Sequence, residues 1–285
     1  YLYFWMDKKA AASKDNRFNN DFNDADGDGR TFSYRDYIKE GQAESDRSSF
    51  FRSETVNIYP DTLVWLADFT YSFNEQMHDN YFWHPAYDDY PVVGISWKQA
   101  MAFCNWRTGY RNGYLKSNKD FQENEFRLPT ESEFEYASRG GRVGADYGWG
   151  GPYVRNSKGC LVANFKPGRG SYGEDGGMQT VNVTSYFPND FGLYNMSGNV
   201  AEWTSTAYDE SANVFFYDLN PNYSYEAKSE DPEVLKRKVI KGGSWKDIGY
   251  FLQNGTRTYE YQDTAKSYVG FRCVMSYMGR SIGDE

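Results

Sequence analysis

Gly192-Leu193-Tyr194-Asn195-Met196-Ser197-Gly198-Asn199-Val200-Ala201-Glu202-Trp203 is the stretch on which the reading of this chain turns. It closes a glycine-rich region, 141–200, that carries no sustained apolar period and reads as loop. So long an irregular loop in a compact domain is uncommon, and is usually functional or held by ions.

Upstream, Thr130-Glu131-Ser132-Glu133 follows Pro129 and forms a capping box. It predicts a helix through Phe134, Tyr136 and Ala137 to a stop at Gly140-Gly141. Ser96 is an N-cap for a second helix over about 97–108, with Ala100, Phe103 and Cys104 on related faces. Val92-Val93-Gly94-Ile95 before it reads as a short buried strand. Downstream, Val239-Ile240, Ser244-Trp245 and residues 269–275 read as late strands, the first entered through Lys236-Arg237-Lys238.

Residues 1–90 are different in kind: polar, rich in Asp and Asn, with few apolar periods. A short helix is predicted over 33–38, and a strand over 55–59 stopped by Pro60. The opening Tyr1-Leu2-Tyr3-Phe4-Trp5 has no basic leader before it and reads like the interior of a domain. The predicted organisation is an extension over 1–90, a domain over 91–278 and a tail over 279–285, with no internal repeat.

The 285 residues are long enough for one large core. Aromatic residues make up 19% of them, too many for a disordered chain. A net charge of −9 with no standout basic run disfavours nucleic acid as a partner. No stretch is apolar and long enough to span a bilayer as a helix. Cys104, Cys160 and Cys273 form no CxxC pair, and with only two histidines a structural zinc site lacks ligands. Trp97, Trp203 and Trp245 are expected in the core.

Four segments, in order, carry a resemblance. They are Val93-Gly94-Ile95-Ser96-Trp97 with Cys104-Asn105-Trp106; residues 127–137 around the capping box; the stretch 192–203; and Lys241-Gly242-Gly243-Ser244-Trp245 with Gly270-Phe271-Arg272-Cys273. As a set they resemble the formylglycine-generating (sulfatase-modifying factor) enzyme family over roughly 85–278. The resemblance implies an α+β, loop-rich fold, a distant variant of the C-type lectin fold, with residues 1–90 as a long N-terminal insertion. Tyr59-Pro60-Asp61-Thr62-Leu63-Val64-Trp65, His84-Pro85-Ala86-Tyr87, Ala163-Asn164-Phe165-Lys166-Pro167, Asp218-Leu219-Asn220-Pro221 and residues 259–266 also resemble the gliding-motility lipoproteins of the GldK/PorK family. That resemblance implies the periplasmic face of the bacterial outer membrane and a lipid anchor outside this chain. It implies a ring of the type IX secretion system built with copies of the same chain, a GldN/PorN-like partner and secretion-motor proteins.

In active enzymes of the first family, two cysteines after the Gly-Gly-Ser motif bind copper(I). Aligned on Gly242-Gly243-Ser244, those positions hold Asp247 and about Leu252. A carboxylate binds copper(I) poorly and leucine not at all. The resemblance therefore implies a pseudoenzyme with no copper and no catalytic residue. A related three-histidine iron branch is excluded by the two histidines, His78 (expected solvated) and His84 (expected in a loop). Asp247, Glu202 and Arg257 line the former cleft on this reading, as carboxylates and a cation without catalytic duty.

The family also implies structural calcium. One site maps to Asn195, Gly198, Val200 and Glu202: two side-chain oxygens and two backbone carbonyls, a set calcium accepts. A second maps to Asn164, Phe165, Asp175 and Gly177, where Gly177 replaces an aromatic. Independently, Asp24, Asp26 and Asp28 stand where an EF-hand loop begins, with Arg35 where its last ligand is expected; a partial calcium loop and an exposed acidic turn both fit. The family pairs the positions of Cys104 and Cys273 as a disulfide in some members, worth roughly 4–5 kcal/mol of chain entropy. Cys160 is left over. Alternatives to the scaffold reading are a calcium-dependent glycan or peptide binder, and an active formylglycine-generating oxidase.

Overall fold

The computed structural model describes residues 1–6, 51–168, 172–174, 176–215 and 222–277, in two compact units, 1–57 and 58–285. The predicted helix over 33–38 and the residues Asp24, Asp26, Asp28 and Asp175 lie outside the described residues.

In the first unit, β1 (Leu2–Met6) pairs antiparallel with β2 (Phe51–Thr55), in register from Leu2↔Thr55 to Met6↔Phe51. Strand alternation leaves Leu2, Phe4 and Met6 exposed, while Tyr3 and Trp5 on the opposite face stack at 5.0 Å. The strand expected over 55–59 is displaced, because the ladder ends at Thr55. The Tyr59 carbonyl instead accepts from Gln99 Nε2 at 3.2 Å.

The second unit opens with two short helices, α1 (Val64–Ala67) and α2 (Glu75–Asn80). They bury Val64, Trp65, Met77 and Tyr81 in one cluster with Val93 and Val200. Helix α3 (Trp97–Ser117) follows, then β3 (Phe126–Arg127), α4 (Glu131–Arg139), β4 (Ala201–Ala207), α5 (Ala212–Phe215), β5 (Arg237–Lys241), β6 (Thr258–Tyr261), β7 (Val269–Gly270) and β8 (Val274–Met275). A four-stranded sheet runs β6-β5-β4-β7, antiparallel except for β4 with β7; β3 and β8 pair separately.

Helix α3 starts at the predicted N-cap Ser96, which also forms a capping box with Gln99, and it extends nine residues past the predicted end at 108. Gly109 and Gly113 lower its propensity but do not break it, because neither needs a positive φ there and Leu115 is buried beyond them. Two indoles tie this helix to the sheet: Trp97 Nε1 donates to the Thr204 carbonyl at 2.8 Å, and Trp203 Nε1 to the Ile95 carbonyl at 3.1 Å. Both rings are buried in the main core, as expected.

Residues 92–95 are not a strand, contrary to expectation. Val93 and Ile95 are buried, but Gly94 turns the chain at φ +71, donating to the Lys266 carbonyl and accepting from the Asp61 amide. Ser244-Trp245 is likewise a turn, and the run 269–275 splits into β7 and β8. Strand β5 is buried on both faces, which its lysines conceal in the sequence. Lys238 Nζ lies 4.0 Å from the Trp97 ring centroid and donates to the Tyr225 carbonyl. Lys241 Nζ donates to the carbonyls of Asn254 and Thr256 at 2.6 and 3.0 Å, and burial pushes its pKa down.

Helix α4 carries the predicted box. Glu133 N donates to Thr130 Oγ1, Thr130 N donates to Glu133 Oε2, and Gly140 ends the helix at φ 60. Arg127 grips Glu133 with two 2.6 Å bonds and, with the Thr130 amide, holds its carboxyl down at about 2 against an ordinary 4.5. The Glu133 contribution is therefore full above about pH 4.5 and fades as pH falls toward 2. Glu133→Gln is expected to flatten acid unfolding in that window and to cost about 1 kcal/mol at neutral pH, read by urea titration at several pH values. An unchanged acid limb would remove this contribution.

Candidate functional site

The loop region 141–200 is organised by asparagines. Asn199, fully buried at φ 68, exchanges two hydrogen bonds with Val181: the Val181 amide donates to Oδ1 at 2.9 Å and Nδ2 donates to the Val181 carbonyl at 3.0 Å. Its own amide donates to the Asn164 carbonyl at 2.9 Å, and its carbonyl accepts from the Trp245 amide. Gly198 beside it sits at φ +93, and a Cβ there would lie 2.6 Å from the Asn164 carbonyl oxygen. Only glycine permits this approach, so the two sequence-predicted cation sites share one scaffold.

At the second of them, Asn164 is 1% exposed. Its Nδ2 donates to the Gln179 carbonyl at 2.6 Å, while Oδ1 is buried with no hydrogen-bond partner. Gly177 lies against it: a Cβ at Gly177 would stand 3.2 Å from Asn164 Nδ2. An orphaned, buried amide oxygen fits a hard cation, which would complete the acceptor. Asn164, with the carbonyls of Phe165 and Gly177, would hold it.

The first site is arranged differently. Asn195, at φ 51, donates from Nδ2 to the Val183 carbonyl at 2.9 Å. Glu202 is buried at the start of β4 and both its oxygens accept from Arg272: Oε1 from Nη2 at 2.6 Å, and Oε2 from Nε. Arg272 Nη2 also donates to the Tyr194 carbonyl at 3.2 Å. A cation here would share the Glu202 carboxylate with a guanidinium, so these residues fit one less well than the Asn164 site does. Arg272 belongs to the Gly270-Phe271-Arg272-Cys273 motif, which by itself gives it no role. Its partner became visible only when β4 and the 269–275 segment met in space.

Asp247 and Leu252, at or near the positions that the resemblance sets against copper thiolates, both have structural partners. Asp247 Oδ2 accepts from Ser244 N at 3.0 Å and Ser244 Oγ at 2.6 Å, closing its own turn. Leu252 is fully buried with Tyr147, Leu161, Ala163 and Phe165. Arg257 does not join them: it pairs with Glu131 at 2.7 Å and donates to the Asp209 carbonyl. Asp247, Glu202 and Arg257 thus have three separate partners. Cys104 Sγ and Cys273 Sγ lie 3.4 Å apart as thiols between α3 and β8, and Cys160 is exposed. His78 is not free in solvent, because its Nδ1 lies 3.0 Å from the Thr62 carbonyl; His84 caps the short 3-10 turn Pro85–Tyr87. Among the described residues no three His, Cys, Asp or Glu side chains gather as a metal centre, and no helix is long and apolar enough to cross a membrane.

An α+β domain with this asparagine-braced loop and Gly-Gly-Ser turn is the class to which the comparisons point. The family described as sulfatase-modifying factor enzyme 1-like domain matches residues 31–277. The formylglycine-generating enzyme of Mus musculus is 32% identical over 67% of this chain and 45% of its own length. An inactive Cα-formylglycine-generating enzyme 2 of Bos taurus is 33% identical over 69% of this chain and 53% of its own. Among solved structures, PvdO from Pseudomonas aeruginosa superposes with a TM-score of 0.49 at 23% identity, over 65% of this chain and 61% of that one. The chain belongs to the formylglycine-generating, or sulfatase-modifying factor, family, and it has that family's fold. It spans about half the length of the relatives it matches, and these include both active and inactive proteins.

Proposed function

We propose that this chain is a non-catalytic structural subunit of the periplasmic ring of the type IX secretion and gliding machinery. The observation that carries the non-catalytic half is the state of the two thiolate positions. Asp247 is spent on the Ser244 turn and Leu252 is sealed in the core. Neither supplies a soft ligand for copper(I), so oxygen activation has no metal to start from. A relative named as inactive, at 33% identity, supports this reading. The ring half rests on the GldK/PorK-like segments, from Tyr59-Pro60-Asp61 through residues 259–266. On this reading the partners are further copies of the chain, a GldN/PorN-like protein and secretion-motor proteins, and a lipid anchor outside this chain holds the ring to the outer membrane.

Calcium has a structural part in this proposal. At the Asn164 site the ion would be held by the orphaned Oδ1 and would brace the loop. Melting temperature is expected to be higher in calcium than in EGTA; identical curves would remove the ion.

The test of lost chemistry is a copper(I) titration against a competing chelator, together with an assay for oxidation of a peptide cysteine. No tight copper site and no turnover are expected. Turnover dependent on copper would overturn the pseudoenzyme reading.

A further inference from the structure

Residues 58–90 contain no Lys or Arg, six Asp or Glu, and ten Phe, Trp or Tyr. Among the described residues, a lysine or arginine pairs with one of the six carboxylates. Asp68 accepts from Ser267 N and Oγ and pairs with Lys266 at 3.3 Å. Asp61, Glu75, Asp79, Asp88 and Asp89 are exposed.

Aromatic rings are exposed among them. Tyr71 and Phe73, in the turn between α1 and α2, are 95% and 90% exposed. Phe73 has φ 51, a left-handed conformation that costs a bulky residue strain. The turn is nonetheless fixed from both sides. Asn74 Nδ2 donates to the Trp65 carbonyl at 3.0 Å, and His78 Nδ1 meets the Thr62 carbonyl. Trp83, largely exposed, is locked to the end of α2 by donation from Nε1 to the Asp79 carbonyl. Rigid rings held out of the core lose little entropy when covered, which is the property of binding anchors.

We infer that the α1–α2 turn and its flanks are a docking surface for a basic partner segment, one that alternates Lys or Arg with apolar residues. The charge selects the partner: five exposed carboxylates, on a segment whose own sequence has no lysine or arginine, complement cations and repel an anionic membrane surface. The rings give the apolar residues something to cover, and their faces also attract cations. Nothing in this surface depends on the ring assignment, so a peptide tests it by itself.

The probe is a fluorescein-labelled octapeptide of alternating lysine and leucine, compared with lysine–glycine and glutamate–leucine peptides of the same length, by fluorescence polarisation. Saturable binding of the lysine–leucine peptide alone is expected, weakening as salt is raised. Tyr71→Ser/Phe73→Ser is expected to weaken it about tenfold or more. Phe121→Ser/Phe187→Ser, equally exposed aromatics elsewhere, should leave it unchanged. Glu75→Gln/Asp79→Asn tests the charges without touching the rings, should the first variant fold poorly. Equal binding by lysine–glycine would mean that net charge alone is responsible, and would overturn the inference. So would undiminished binding by both turn variants, or binding of the glutamate peptide.

Discussion

Glu202→Ala is expected to lose about 3–5 kcal/mol of unfolding free energy, measured by urea denaturation at neutral pH. The cost arises less from the lost attraction than from what remains behind. Arg272 is three-quarters buried and sends Nε and Nη2 to the two Glu202 oxygens, so deletion leaves a guanidinium out of water with only the Tyr194 carbonyl. The prediction has an internal control. Glu202→Leu/Arg272→Met removes both charges and puts an apolar pair in their place, and is expected to recover most of the loss, because buried ion pairs are replaceable by apolar pairs at little cost. A double variant as unstable as Glu202→Ala would mean that Glu202 has another essential duty, with ion binding the leading one.

Leu252→Ala is expected to cost about 2–5 kcal/mol, through the lost transfer energy and the cavity left among Tyr147, Leu161, Ala163 and Phe165. The site cannot collapse easily. Gly243 sits so close that a Cβ on it would be 2.9 Å from Leu252 Cδ1, and the neighbouring Phe251 carbonyl is as tight. Leu252→Met, similar in volume, is expected to cost less than about 1.5 kcal/mol. This contrast isolates the packing contribution at Leu252. A Leu252→Ala protein of unchanged stability would contradict its place in the core.

The sequence was most legible where local rules coincide with the final structure. The N-cap at Ser96, the capping box of Thr130 with Glu133 and the stop at Gly140 are local signals and were realised locally. The start of β5 at Arg237 was also readable. Expectations failed where a distant partner decides the outcome. Val93 and Ile95 look like a strand by composition, but Gly94 bonds to Lys266 and Asp61 instead of a ladder. Helix α3 outran its predicted end because glycines at 109 and 113 cost propensity without enforcing a turn. At the site, the asparagines were legible as residues but not as a network. The pairing of Asn199 with Val181, and of Glu202 with Arg272 across 70 residues, has no periodicity to betray it.

The most direct test is the mass of the native complex purified from membranes through this subunit, with its components identified. A large assembly containing several copies of the chain and a GldN/PorN-like protein is expected. A lone monomer carrying no partner would contradict the scaffold assignment.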